Sequence, residues 1–161
     1  MIQNSGEYTV GAPIFKAFIL KSYIGEGGFG RVYLVENDIG KQFALKVLYK
    51  DIQTEQRGVE AVRKITSNRL VNVLDYGETI SGAFCVLMEY LKENFAGVIS
   101  EGKLAESEAC HYFTEILRGL KVLEQNGIVH RDIKPANLIL LEKIIKIGDF
   151  GTAKYTSGET T

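Results

Sequence analysis

Between residues 18 and 89 the apolar side chains of this chain come in short runs, and beyond residue 91 they switch to a spacing of three and four. The early runs (residues 18–24, 32–36 and 42–48) are each ended by glycine or by charged and turn-forming residues, as hairpin strands are. Asn37-Asp38-Ile39-Gly40 supplies a turn between the second and third. Residues 52–66 take helical spacing, with Val59, Val62 and Ile65 on one stripe, and runs at 70–76 and 83–89 flank a turn at 77–82. Farther on, Ala109, Tyr112, Phe113, Ile116, Leu117, Leu120 and Leu123 recur at helical spacing until Asn126-Gly127 stops them. That stripe is broad enough to need cover on more than one side. Two last β runs, 138–141 and 144–147, straddle Glu142-Lys143. The pattern predicts an α+β chain of two lobes. The first would be a five-stranded antiparallel sheet with one helix, residues 17–91, and the second a mainly helical lobe, residues 92–161. Residues 1–16, with Gly6, Gly11 and Pro13, read as a loosely attached lead-in.

Composition narrows the function classes. Hydrophobic residues are 45% and charged residues 24% of the chain, an ordinary globular balance. A formal net charge of −1 gives no field that would favour nucleic acid or an anionic membrane. The longest apolar run, at 83–88, falls far short of the roughly 18 residues of a membrane helix. The first seven residues lack the basic and apolar blocks of a secretory signal. The expectation is a cytoplasmic protein. Cys85 and Cys110 both stand in apolar patterns and read as reduced core residues.

Three strings carry chemistry. Gly25-Glu26-Gly27-Gly28-Phe29-Gly30-Arg31-Val32 lies between two strand-like runs. Glycines let backbone N–H groups approach phosphate oxygens with no Cβ in the way, although an ordinary glycine-rich hairpin would look the same. A strand rather than a helix follows, so a dinucleotide fingerprint lacks its context, and no Gly-Lys-Ser/Thr closes the turn as a P-loop would. Lys46 sits on an otherwise apolar strand, where it either faces water at an edge or points inward and needs a counter-charge. His130-Arg131-Asp132-Ile133-Lys134-Pro135-Ala136-Asn137 follows the helix stop, and Asp149-Phe150-Gly151 comes after the second β pair. Asp132 has the chemistry to accept a hydroxyl proton and Lys134 to neutralise a phosphate. Asn137 and Asp149 are oxygen donors suited to a divalent cation.

In this order and spacing the strings resemble those of the protein-kinase family, specifically the eukaryotic-type serine/threonine kinases, over about residues 23–154. The resemblance implies ATP and Mg2+ as cofactors and a protein Ser/Thr hydroxyl as acceptor. It assigns Gly25, Glu26, Gly27, Gly28, Phe29 and Gly30 to the ATP phosphates and Lys46 to the α- and β-phosphates. Asp132 would be the catalytic base, and Asn137 and Asp149 the magnesium ligands. Lys134, in Asp132-Ile133-Lys134-Pro135, is the serine/threonine-type variant and would steady the transferring group. Ile24, Val32, Ala44 and Ile139 would sandwich adenine, with Met88 as gatekeeper and the backbones of Glu89 and Leu91 bonding the base. Arg131 suggests control by phosphorylation nearby, with Thr156, Ser157, Thr160 and Thr161 as candidate acceptors.

The helix carboxylate that would pair with Lys46 is either Glu55 or Glu60, since residues five apart cannot both face it. In the family the residue four beyond that glutamate is apolar. Val59 lies four beyond Glu55 and Lys64 four beyond Glu60, which favours Glu55. Ser67-Asn68-Arg69-Leu70 stands where the family often has His-Pro-Asn. Family members also continue past position 161 with a substrate platform, so a catalytically inactive nucleotide-binding regulatory module is the alternative function. A small-molecule phosphotransferase of related fold is disfavoured by Lys134 and by the residues around Asp149. The physiological substrate and the oligomeric state are not legible.

Overall fold

The computed structural model describes residues 8–156, which divide into two compact units. The first comprises residues up to 53 together with 73–90, and the second residues 54–72 together with those from 91 on.

The first unit is a sheet. Its strands are β1 (Pro13–Phe15), β2 (Phe18–Glu26), β3 (Gly30–Glu36), β4 (Gln42–Leu48), β5 (Val73–Glu78) and β6 (Phe84–Glu89). They lie in the order β1-β2-β3-β4-β6-β5, and every pairing is antiparallel. Strand alternation decides what is buried. Tyr33 pairs with Leu45, Val35 with Phe43, Leu45 with Leu87 and Val47 with Cys85, so these side chains share one face and build its core. Asn37 fixes the β3–β4 turn by accepting the Lys41 N–H on Oδ1 at 2.8 Å, with Gly40 at φ 78°.

The sheet has one strand more than the five expected. Residues 8–16, read from sequence as part of a loose lead-in, are built into it. Tyr8, Ile14 and Phe15 are buried in the same core, and Ile14 is completely covered. The Tyr8 hydroxyl hydrogen-bonds Ser81 Oγ at 2.7 Å and Thr79 Oγ1 at 3.0 Å, and its ring meets Tyr33 edge-on. Phe15 stacks on Phe18, which in turn packs edge-on against Phe43.

The second unit holds α1 (Ile52–Val62, counted here from Thr54), β7 (Glu93–Asn94), α2 (Phe95–Ser100) and α3 (Glu106–Gln125). These are followed by β8 (Ile128–Val129), a 3-10 turn at Pro135–Asn137, β9 (Leu138–Leu141), β10 (Ile144–Ile147) and β11 (Lys154–Tyr155). β9 and β10 form the hairpin predicted about Glu142-Lys143, with Leu138 opposite Ile147, and β7 extends it. β11 pairs with β8. α1 stops short of residue 66: its last turn tightens to an Ile65 N–H to Val62 carbonyl bond, and Ser67 Oγ then accepts the Arg69 N–H. The run at 70–76 also splits. Leu70 and Val71 leave the predicted strand to bridge β10, where Val71 N–H bonds the Ile147 carbonyl at 2.8 Å.

The stripe on α3 is covered on one side. Tyr112, Ile116 and Leu120 are half-buried and Leu123 is buried, whereas Phe113 and Leu117 are exposed. Gly119 lets α3 approach β10 closely, since a Cβ there would fall 2.8 Å from Ile147 Cδ1 and that side chain would have to shift. The cysteine expectation holds for Cys85, whose thiol is pushed up to about 12 by burial. It fails for Cys110, which is exposed on α3 because its side chain falls outside the buried stripe.

Deleting the Phe15 ring should therefore destabilise the first unit as a core substitution does. Phe15→Ala is expected to remove about 3–5 kcal/mol, read as a lowered urea midpoint. A change near zero would mean that the strand is an ornament on the sheet.

Candidate active site

The candidate residues fall into two groups, one in each unit. In the first unit the sheet register sets the geometry. Gly25 pairs with Val32, Val32 with Lys46 and Lys46 with Val86, while Ala44 pairs with Met88. Directly paired residues and their next-but-one neighbours share a face, so Val32, Ala44, Lys46 and Met88 line the side of the sheet opposite the Tyr33–Leu45 core. Lys46 is 6% exposed, which rules out the water-facing edge lysine. Glu89, opposite Phe43, ends β6. Ile24 is exposed near the end of β2.

The glycines of the connecting turn divide by what surrounds them. A Cβ at Gly30 would drive into the Val47 carbonyl, so packing alone demands glycine there. A Cβ at Gly25, Gly27 or Gly28 would meet nothing within 4 Å. The fold itself makes no use of their small size.

In the second unit the β9–β10 hairpin brings the catalytic-type residues together. Because Leu138 faces Ile147, the residues just outside the hairpin also meet, and Gly148 N–H bonds the Asn137 carbonyl at 2.9 Å. Asn137 thereby stands across from the residue that precedes Asp149. The Asn137 side chain is buried, and its Nδ2 donates to Asp132 Oδ2 at 3.0 Å and to the Asp132 carbonyl at 2.8 Å. Lys134 Nζ lies 2.9 Å from Asp132 Oδ2. The Lys134 ammonium, helped by the Asn137 amide, holds the Asp132 carboxyl below the usual carboxylate range, against a smaller opposing effect of burial. Ile139 is half-buried in β9, and Leu91 is half-buried just before β7.

Backbone strain marks the same place. Arg131 and Asp149 adopt φ 68° and 58°, a region that non-glycine residues seldom occupy. His130 is the anchor between them. It is buried, its ring packs edge-on against Phe150, and its Nε2 bonds the Gly148 carbonyl at 2.9 Å. Nδ1 accepts the Asp132 N–H at 3.3 Å, so the proton sits on Nε2 and the ring is neutral. Burial pushes its pKa down, only partly offset by the Gly148 bond.

Glu55 is the buried carboxylate of α1, at 3% exposure, and its carboxylate lies so close to Gly151 that a methyl on that glycine would collide with it. Glu60 is half-buried and accepts a bond from Gln56 Nε2 at 2.9 Å. Residues 18–161 match the family model of the protein kinase domain. The chain belongs to the protein kinase family.

Two features of the kinase were not legible beforehand. Glu115 is buried on α3 and ion-paired to Arg69 and, at 2.5 Å, to Arg118. It lies beside the predicted stripe, on the buried face with Gly119 and Leu123, where its ion pairs make burial of the charge tolerable. The second is a basic cavity of about 440 Å³ with Arg57, Lys64, Arg131 and Lys154 among its lining residues. Arg131 reaches it with its guanidinium fixed by an Nε bond to the Thr152 carbonyl at 2.6 Å. Of the acceptor residues suggested from sequence, Thr156 donates its hydroxyl to the Gly127 carbonyl at 3.0 Å, whereas Ser157, Thr160 and Thr161 lie outside the described residues.

A histidine held neutral makes stability depend on pH. The folded pKa of His130 lies below the ordinary 6.5, so the unfolded chain takes up a proton that the folded one refuses. The stabilisation is present above that value and is lost as pH falls through it. The urea midpoint should drop between about pH 7.5 and about pH 5.5, and His130→Asn should flatten that slope while lowering the midpoint throughout. An unchanged slope in the variant would assign the titration to another group.

Proposed function

We propose that this kinase domain transfers the γ-phosphoryl group of Mg-ATP to serine or threonine hydroxyls of protein substrates. The observation that carries the reading is the Asp132–Lys134–Asn137 cluster. An ionised carboxylate, an ammonium 2.9 Å from it and a buried amide 3.0 Å from it are held on one short loop. Asp132 would accept a hydrogen bond from the substrate hydroxyl and aim it, and Lys134 would stabilise charge on the transferred group. The exposure of Lys134, at 53% of its side chain, leaves it accessible to a substrate. Lys134 in this position is also what supports a serine/threonine rather than a tyrosine acceptor.

Magnesium suits the donor set. Both donor positions of Asn137 Nδ2 are committed to Asp132, so Oδ1 is the remaining polar atom of that amide and is an oxygen ligand. The Asp149 carboxylate stands just past Gly148, whose N–H bonds the Asn137 carbonyl, at the open end of the same hairpin. Among the described residues no cluster of three or more acidic, histidine or cysteine side chains forms a complete cage. Two hard oxygen ligands, completed by phosphate and water, match how magnesium is usually held. When bound, the ion would neutralise charge between the phosphates.

For the nucleotide, the open space over Gly25, Gly27 and Gly28 supports phosphate approach, and buried Lys46 supplies a cation. Ile24, Val32, Ala44 and Met88, with the backbone of Glu89, are the proposed adenine contacts of the first unit. Glu55 is the proposed helix carboxylate. The basic cavity at Arg131 fits control by a phosphorylated residue of the neighbouring segment.

The test is transfer from labelled Mg-ATP to mixed Ser/Thr and Tyr peptides, with Asp132→Asn beside the wild type. The variant should lose at least about 100-fold in rate while binding nucleotide normally. Equal rates would remove Asp132 from the mechanism. Nucleotide binding without any transfer by the wild type would make the protein a regulatory nucleotide-binding module instead. Gly27→Ala gives a separate check: its methyl meets nothing in the fold, so stability should stay within about 1 kcal/mol while nucleotide affinity falls. A large loss of stability would show that the glycine serves folding.

A further inference from the structure

The residue that fixes the glycine-rich turn is Tyr49, just after β4, and no sequence motif marks it. Its hydroxyl donates to the Gly27 carbonyl at 2.9 Å and lies 3.3 Å from Glu26 Oε1. Its own N–H bonds the Phe29 carbonyl at 3.2 Å. One residue thus holds both shoulders of the turn, which is closed internally by a Gly27 N–H to Gly30 carbonyl bond of 2.9 Å. The surroundings reinforce it. Arg31 Nε lies 3.5 Å from Glu26 Oε2, and Lys50 Nζ sits over the rings of both Phe29 and Tyr49, at 5.8 and 5.9 Å. Partial burial and then the Glu26 carboxylate push the phenol pKa upward, so Tyr49 remains a donor at neutral pH.

We infer that Tyr49 is a positioning residue that latches the glycine-rich turn and thereby sets nucleotide affinity. The groups it engages are carbonyl oxygens and a carboxylate, which repel phosphate. Holding the Gly27 oxygen keeps it from turning into the space above the glycines, where nothing in the fold lies within 4 Å of a Cβ. A pre-formed turn also loses less conformational freedom when a phosphate arrives. Tyr49 acts through the turn and is not itself assigned a contact with substrate. Being 52% exposed, it can lose its hydroxyl without opening the core.

The inference rests on the nucleotide reading above, and its test separates the two. Amide exchange at residues 25–30 is measured on the full chain without nucleotide, wild type against Tyr49→Phe. One net hydrogen bond corresponds to a roughly two- to tenfold change. Exchange of the turn should quicken by that factor while the amides of β4 and β6 stay unchanged. The dissociation constant for the magnesium complex of a non-hydrolysable ATP analogue should rise by a similar factor. With saturating nucleotide, kcat for peptide transfer should change less than KM for ATP does. Unchanged exchange at the turn would overturn the latch, and faster exchange with unaltered affinity would overturn its role in binding. A wild type that binds no nucleotide would instead overturn the nucleotide reading and the affinity role with it, while the exchange result would still decide the latch.

Discussion

The bond from His130 Nε2 to the Gly148 carbonyl is the constraint on which the second unit's candidate residues depend. It ties the loop after α3 to the strained step that follows β10, and both its partners sit where water is excluded. An unmet carbonyl or imidazole at such a place would destabilise the fold by about 1–3 kcal/mol, so the two groups fix each other. With the ring held, Nδ1 takes the Asp132 N–H, and the next residues have little choice of path. The chain passes through a left-handed Arg131, turns at Pro135–Asn137 and delivers Asn137 to the mouth of the hairpin. A second backbone bond, from Gly148 N–H to the Asn137 carbonyl, closes the circuit. Strain at Arg131 and Asp149 persists because these bonds over-determine it.

That circuit explains why so much of the site could be read from the sequence. A two-strand hairpin shows as two short apolar runs about a tight turn, both visible in residues 138–147, and its closure requires that the residues outside its ends meet. The burial of Glu55 is consistent with the same kind of reading. Val59, one turn on, is 2% exposed and shares the buried face of α1, whereas Lys64 could not take that place beside Glu60. Strand β1 was hidden because Pro13–Phe15 is three residues long and lies among turn formers. Beyond its pairing with β2, it shares a core with Tyr33, Leu45 and Cys85, all distant in the chain, which no local pattern announces. Leu70 and Val71 misled for the opposite reason: an apolar run suits a strand in either unit, and only the β10 backbone decides between them. On α3 the apolar stripe and the buried face do not coincide: Phe113 and Leu117 are exposed, whereas Glu115 is buried. An ion pair to Arg69 made burial of a charge tolerable, and the helix turned its cysteine outward.

The glycines of the turn sharpen the distinction between residues that fold a protein and residues that equip it. Gly30 answers to packing, since the Val47 carbonyl leaves no room for a side chain. Gly25, Gly27 and Gly28 answer to nothing within the fold, and glycine at such sites loses chain entropy without return. Their presence is therefore evidence about what approaches them. The latch at Tyr49 belongs to the same argument: a turn freed of side chains becomes mobile, and a single tyrosine, bonding Gly27 through its hydroxyl and Phe29 through its backbone N–H, offsets that freedom.

On the proposed reading, the low pKa of Asp132 constrains its role. A carboxylate stabilised by Lys134 and Asn137 is a weaker proton acceptor than a free one, which would be a poor choice if early proton removal limited the reaction. Phosphoryl transfer through a loose transition state asks for little nucleophile activation and much alignment of hydroxyl, phosphorus and leaving oxygen. The cluster suits that demand, because the bonds that depress the pKa also immobilise the carboxylate. Loss of the Lys134 ammonium would make Asp132 more basic and less well placed. If placement limits the rate, the gain in basicity cannot compensate, and Asp132 contributes by holding a hydroxyl in line more than by taking its proton.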